Sequence, residues 1–391
     1  MAWELKKVED QRQELVDTYL RGIVSMTELC DRFGVSRKTA YKWVNRFLAL
    51  GKDGLHDQSK APHSPHTCFN RSIIDIVLCL KAKHLTWGPK KILACLKRDY
   101  PRVEWPSATR TYEIFKGHHL VTKKRERKRV PATHPLGEVK KCNDVWLADF
   151  KGWFLTGDNR KCEPLTITDG FSRYLIKCDH LETKTAESVW PVFKDAFEEY
   201  GLPNRIRTDN GPPFGSIGIG RLTNLSVNFI KAGVTPEWIN PGHPEENGQH
   251  ERFHSTLKRD AANPASNTLE EQIVRMAVFQ REYNFERPHE ALAMNRPADC
   301  YKASERKWDG VLRSPEYDTG KMTRKVCQNG CVWLNHEHFY IGKALIGEYV
   351  CLKEADDGLA VFYGPIYLGK LRKGERIQAP KMKPKNVVRR G

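Results

Sequence analysis

Val145-Trp146-Leu147-Ala148-Asp149-Phe150 is an apolar run with a carboxylate near its end, and it reads as a buried strand that delivers Asp149 at its edge. Arg205-Ile206-Arg207-Thr208-Asp209 repeats the arrangement, and the turn signal Asn210-Gly211-Pro212-Pro213 follows at once. A second turn cluster, Pro241-Gly242-His243-Pro244 through Asn247-Gly248, precedes Glu251. That glutamate opens a stretch with helical spacing, Glu251-Arg252-Phe253-His254-Ser255-Thr256-Leu257-Lys258-Arg259. Two carboxylates at strand ends and one on a helix suit a hard divalent cation such as Mg2+, which prefers oxygen ligands. Two such ions about 3.5–4 Å apart stabilise both the attacking and the leaving oxygen of an in-line phosphoryl transfer. Each residue also has an ordinary reading. Asp209-Asn210-Gly211 are all turn formers, and Glu251 suits the dipole of a helix N-terminus. The combination favours metal chemistry.

Around these residues the pattern is strands with helices between. Leu165–Thr168 and Tyr174–Lys177 flank Asp169-Gly170, a hairpin-like turn. Ala186–Tyr200 is an amphipathic helix with Val189, Val192, Phe193, Ala196 and Phe197 inward, ended by Gly201. A Gly-rich insertion at 215–220, a helix at about 221–232, an edge-strand-like piece from Val234 and a helix from Leu269 to Tyr283 complete a central α/β region, 142–300. Beyond 315, short strands broken by glycine at 322–327, 331–335, 338–346, 348–354 and 358–372 suggest a small β-barrel with a basic tail, 315–391.

The first fifty-six residues read as a helix-turn-helix domain. Ser25 and Glu28 form a capping box, Gly34 supplies the turn, and Ser36 caps a helix with Ala40, Val44 and Phe47 inward. Its other face presents Arg37, Lys38, Thr39, Lys42 and Arg46, the kind of surface a recognition helix lays in the major groove. A bundle with a solvated basic face would look similar. Residues 68–120 read as a second helical DNA-binding domain, with Arg110 near the start of its last helix. Residues 121–141 read as a basic linker able to track phosphates, through Lys123, Lys124, Arg125, Arg127, Lys128 and Arg129. The fold class expected is therefore multidomain: all-α helix-turn-helix domains, a central α/β core and a C-terminal β-barrel.

The net charge of +17 is unevenly spread. Between Cys142 and Asp260 there are 14 Lys and Arg against 17 Asp and Glu, whereas 121–141 carries eight basic and two acidic residues and 371–391 eight and one. A mildly acidic centre with basic flanks suits a cation site whose neighbours hold a polyanion, and double-stranded DNA is the partner this implies. No run approaches the roughly 18 apolar residues of a membrane span. Met1-Ala2-Trp3-Glu4-Leu5-Lys6-Lys7 lacks the apolar stretch of a secretory signal, and the eleven cysteines are scattered and odd in number. The expectation is a reduced, cytoplasmic, nucleoid-associated protein.

Asp149-Phe150-Lys151-Gly152-Trp153, Thr208-Asp209-Asn210-Gly211-Pro212-Pro213-Phe214 and Pro241 through Arg252 resemble the catalytic motifs of DDE transposases. The likeness is to bacterial insertion-sequence transposases with a retroviral-integrase-like core. Asn284-Phe285-Glu286-Arg287-Pro288-His289-Glu290-Ala291-Leu292 is similar to the segment after that core. The resemblance implies an RNase H-like fold and Asp149, Asp209 and Glu251 as catalytic ligands of two Mg2+ or Mn2+ ions. It also implies cleavage at the ends of a mobile element, transfer of the 3′-OH to target DNA, and a homo-oligomer on DNA. Lys258, which shares a helix face with Glu251 and Ser255, would contact the phosphate backbone. One departure concerns spacing. The 41 residues between Asp209 and Glu251 exceed what is usual for retroviral-type cores, a spacing the 35 residues to Glu245 would match. Glu251 is preferred because it follows the glycine turn by three residues and begins the helix, and the insertion at 215–220 absorbs the excess.

Other chemistries are also represented. His250-Glu251-Arg252-Phe253-His254 matches the zinc-peptidase pattern, but Leu257 stands where a metzincin glycine belongs and no histidine follows at third-ligand spacing. Cys327, Cys331, His336 and His338 have a spacing conceivable for zinc, although strands surround them. A DNA-binding regulator built on an inactive core of the same fold is the alternative function.

Overall fold

The computed structural model describes residues 7–57, 69–121, 138–216, 218–240, 243–334, 336–355 and 358–371, without the side chains at 244 and 245. The chain divides into two compact units, Met1–Phe69 and Asn70–Gly391.

In the first unit, α1 (Val8–Leu20), α2 (Met26–Phe33) and α3 (Arg37–Leu50) enclose Leu15, Val16, Leu29, Ala40 and Val44. The capping box forms: the Ser25 hydroxyl accepts from the Glu28 amide and the Glu28 carboxylate accepts from the Ser25 amide. Gly34 ends α2 at φ 62°, the left-handed conformation glycine adopts without a Cβ penalty, and so sets the turn into α3. Trp43, absent from the expected core positions, is buried here with Arg12 over its ring at 3.8 Å.

The second unit begins with α4 (Arg71–Lys83), α5 (Pro89–Asp99) and α6 (Ala108–Gly117), packed around Val77, Trp87, Ile92, Leu96 and Phe115. These helices, which include the residues read as a second DNA-binding domain, lie in the same compact unit as the α/β region. Lys83 pairs with Glu286 at 2.9 Å, and the Cys95 thiol donates to the Glu286 carbonyl.

The central sheet is built from β1 (Val145–Phe150), β4 (Pro164–Asp169), β5 (Leu175–His180), β6 (Arg205–Thr208) and β7 (Thr235–Trp238), in the order β5-β4-β1-β6-β7. The two-residue strands β2 (Phe154–Leu155) and β3 (Lys161–Cys162) form a separate hairpin. β5, β4 and β1 are antiparallel neighbours, whereas β1, β6 and β7 run parallel through crossovers made by α7 (Ala186–Tyr200) and α8 (Asn224–Lys231). One sheet face buries Trp146, Ile167, Ile176 and Ile206 against Phe193, Phe197 and Phe229 of those helices. The other buries Leu175 and Cys178 against Phe253 and Leu257 of α9 (Gly248–Leu257) and Met276, Phe279 and Tyr283 of α10 (Leu269–Phe285). After the short α11 (Pro297–Cys300), an extended strap crosses the core. Arg306 donates to the carbonyls of Pro203 and Gly233, and Trp308 meets Phe197 edge-on.

The C-terminal strands are β8 (Met322–Lys325), β9 (Cys331–Leu334), β10 (Glu337–Tyr340), β11 (Tyr349–Ala355), β12 (Gly358–Tyr363) and β13 (Ile366–Leu371). They do not make the expected barrel. Among the described residues they form an open sheet, β13-β12-β11-β8, and a separate β9–β10 hairpin, with no closure. The reason lies in α8, which is apolar on two sides. Leu225 and Phe229 face the central sheet, while Val227 and Ile230 cover Val350, Val361, Tyr363 and Leu368. The sheet thus buries its apolar face on the core instead of on itself. The single strand expected over 358–372 is two strands, reversed at Gly364 with φ 53°. Among the described residues no helix is long and apolar enough to cross a membrane, and all ten cysteines are free.

Candidate active site

β1 and β6 pair in parallel with Leu147 opposite Arg207, so their carboxyl ends bring Asp149 level with Asp209. Carboxyl ends of adjacent parallel strands are where α/β folds characteristically place ligands. Burial, followed by the charge of Asp209, pushes the Asp149 carboxyl up to about 7, and burial raises Asp209 as well. Lys184 lowers both, yet its ammonium is already paired with Glu163 at 2.5 Å. Two adjacent, largely buried carboxylates with so little countercharge are chemically matched to a divalent cation, so the donor set fits a metal.

The turn after Asp209 is tightly held. The Gly211 amide donates to Asp209 Oδ1 at 3.3 Å, and a Cβ on Gly211 would stand 3.3 Å from Oδ2. Asn210 donates to the Ile239 carbonyl and accepts from Arg221, which ties the turn to β7's exit. Phe214 packs on Phe150 and the Trp238 indole donates to its carbonyl. Sequence reasoning missed Lys184, which precedes α7 in a segment without a motif.

α9 presents three faces. His250 and His254 look onto the sheet, where both reach the Thr166 hydroxyl, at 2.7 and 2.9 Å. Thr166 is opposite Asp149 in the β1–β4 register and donates to the Asp149 carbonyl at 3.0 Å. A consistent proton assignment has both histidines neutral with Nε2–H donating to Thr166, and His250 Nδ1 accepting from Thr168. Burial depresses both imidazoles, His254 to about 4. The peptidase-like pair is therefore a structural bracket that holds α9 on β4. A second face carries Asn247, at the N-cap, whose amide donates to Asp149 Oδ2 at 3.3 Å. Glu251 lies one turn further along that face and is exposed, as are Ser255 and Lys258. Lys258 is close enough to Lys151 to lower its ammonium pKa, behind burial. The third face lines a cavity described below.

The structure therefore brings Asp149 and Asp209 together, with Glu251 on an exposed helix face beside them and not gathered with them. Among the described residues no group of three or more His, Cys, Asp or Glu side chains is placed to hold a metal ion. The Glu245 side chain lies outside the described residues, and Glu246 is occupied by two hydrogen bonds from Asn240. Of Cys327, Cys331, His336 and His338, the Cys327 thiol shares its hydrogen between Asn329 Oδ1 and the Cys331 carbonyl, and the His338 ring lies against Trp333, tilted by 45°.

Among the DNA-binding candidates, Arg37, Lys38 and Lys42 are exposed on α3. Thr39 is half-buried and bonded to Ser36, and Arg46 lies over Trp43 at 5.2 Å. Arg110 is exposed and paired with Glu113. Lys123, Lys124, Arg125, Arg127, Lys128 and Arg129 lie outside the described residues.

Known families and proteins match parts of this chain. Residues 11–63 match the helix-turn-helix domain, and residues 140–244 and 232–297 match the integrase core domain. The chain carries an integrase core. It is 23% identical over 278 residues to the insertion element IS407 uncharacterized 31.7 kDa protein of Burkholderia multivorans (strain ATCC 17616 / 249), covering 70% of this chain and 93% of that protein. It is 28% identical over 227 residues to the insertion element IS476 uncharacterized 39.2 kDa protein of Xanthomonas euvesicatoria, covering 56% of this chain and 61% of that protein. Among solved structures, the HTLV-2 integrase catalytic core domain in complex with magnesium (trimeric form) matches 41% of this chain and 98% of its own, with 16% identity and a TM-score of 0.33. The simian T-cell lymphotropic virus intasome in complex with the PP2A regulatory subunit B56 gamma matches 78% of this chain at 15% identity and a TM-score of 0.37. The likeness of this integrase-core protein to insertion-sequence transposases is borne out by the two domain matches and the insertion-element relatives. The helix-turn-helix and integrase-core matches indicate DNA binding.

Proposed function

We propose that the chain is a DNA transposase that binds the ends of its own mobile element, cleaves a strand there and joins the freed 3′-OH to target DNA. The observation that carries the reading is the pairing of Asp149 and Asp209 at the carboxyl ends of adjacent parallel strands. Asp149 and Asp209 would hold the Mg2+ or Mn2+ ions, two per site, which would activate water and stabilise the leaving oxygen, and Glu251, exposed on the neighbouring face of α9, would have to turn toward them to complete the ligand set. Asn247 orients the Asp149 carboxylate, and the Gly211 amide orients that of Asp209. The His250–His254–Thr166 bracket positions α9 against the sheet, and Lys151 and Lys258 supply positive charge for the DNA backbone. No protein nucleophile is required; positioning and electrostatics supply the rate. Two element ends must be paired, so the working form is a homo-oligomer on DNA in the cytoplasm, at the nucleoid.

The exposure of Glu251 favours a second reading, a DNA-binding regulator with an inactive core. A nicking assay on duplexes carrying the inverted repeats that flank the gene separates the two. Metal-dependent nicking by the wild type, lost with a chelator and in Asp209→Ala while end binding persists, is the expected result. Strand transfer retained by Asp209→Ala would refute the assignment.

A further inference from the structure

Behind α9, on a face different from the one that carries Asn247 and Glu251, lies a cavity of about 480 Å3. Its walls include Lys91 of α5, Arg173 of the β4–β5 turn, Arg252 and Thr256 of α9, and Arg287 and His289 beyond α10. Arg287 is neutralised by Asp260 at 2.6 Å. Lys91, Arg173 and Arg252 form no ion pair among the described residues, and Glu290 is the one acid on the wall. Arg173 Nε and Nη1 and His289 Nε2 are buried without a hydrogen-bond partner. Leaving cationic donors uncompensated in a partly desolvated site is costly, and an anion in the cavity removes that cost.

From this arrangement we infer a phosphate-binding pocket, distinct from the carboxylate site. The guanidinium groups of Arg173 and Arg252 and the Lys91 ammonium converge from three segments of the chain, which suits a doubly charged, tetrahedral acceptor better than a planar carboxylate. The cavity is roomier than one such anion, so it accommodates a phosphate monoester with part of the molecule that bears it. That phosphate is either a small compound or the 5′-terminal phosphate of a DNA strand. The inference stands whether or not Asp149 and Asp209 hold metal, since neither lines the cavity.

The test is a melting experiment on the full chain, without divalent ions, in inorganic phosphate against chloride at equal ionic strength. A saturable rise specific to phosphate, weakened about tenfold in the double variant Arg252→Gln, Lys91→Met, is the expected result. Equal shifts with both salts, or unchanged phosphate affinity in the folded double variant, overturn the pocket. Competition then names the source. Displacement by a 5′-phosphorylated duplex but not by its 5′-hydroxyl twin assigns the phosphate to a DNA end. Displacement by neither, with phosphate binding intact, assigns it to a small molecule.

Discussion

Asp149 is held as a largely buried carboxyl pushed up to about 7, with Asp209 raised beside it. Between about pH 4 and 7 the unfolded chain is ionised at this position while the folded one keeps its proton, so stability falls as pH rises through that window and the full penalty remains above it. In a chelator at pH 8, Asp149→Asn is therefore expected to stabilise the protein by on the order of 2 kcal/mol in urea unfolding, and by less at pH 4.5. A variant less stable than wild type at pH 8 would contradict this. Thr166→Val has the opposite sign: it strips the shared partner from two buried imidazoles and should cost about 2–3 kcal/mol in the same measurement. Asp149 and Asp209 were legible in the chain because each closes a short strand and a turn follows the second. The roles of His250 and His254 were not, since their partners sit on β4 and only the β1–β4 register brings Thr166 beside Asp149. Read along the helix alone, the same two histidines imitate a zinc motif.

The elements around the site were read with unequal success, for physical reasons. Periodicity recovered α7 and α10 within a few residues because each buries a continuous apolar stripe. It set the start of α9 at Glu251, whereas the helix begins at Gly248, next to a turn fixed by Glu246 on Asn240. The C-terminal strands were visible as strands, but whether a sheet closes or docks depends on what covers its apolar face, and that information lies in α8. After α9 the chain makes a π-helical turn, Lys258–Ala262, from which Asp260 reaches the nearly buried Arg287. Asp260 also holds Arg259 at 2.9 Å, so removing Arg287 leaves the carboxylate one partner, and Arg287→Ala should cost about 2–3 kcal/mol in denaturant unfolding. A loss below 1 kcal/mol would show that water already reaches the pair.

For the molecule as a whole, the proposed function assigns recognition to the helix-turn-helix unit and chemistry to the integrase core. If Arg37, Lys38 and Lys42 each meet a DNA phosphate, their triple alanine variant should lower the slope of log affinity against log salt by about 3 and leave the melting of the second unit unchanged. An unchanged slope would remove α3 from the interface. The packing of α4–α6 with the core was hidden in the sequence because it runs through single polar contacts such as Lys83–Glu286, which have no periodicity. The central claim, that Asp149, Asp209 and Glu251 serve one cation site, is tested most directly by titrating Mn2+ into the full chain bound to DNA from the element's end. Wild type should bind the metal saturably, Asp209→Asn and Glu251→Gln should each bind at least about tenfold more weakly, and Glu245→Gln should match wild type. Wild-type metal affinity in Asp209→Asn, or a loss in Glu245→Gln that Glu251→Gln does not share, would contradict the account.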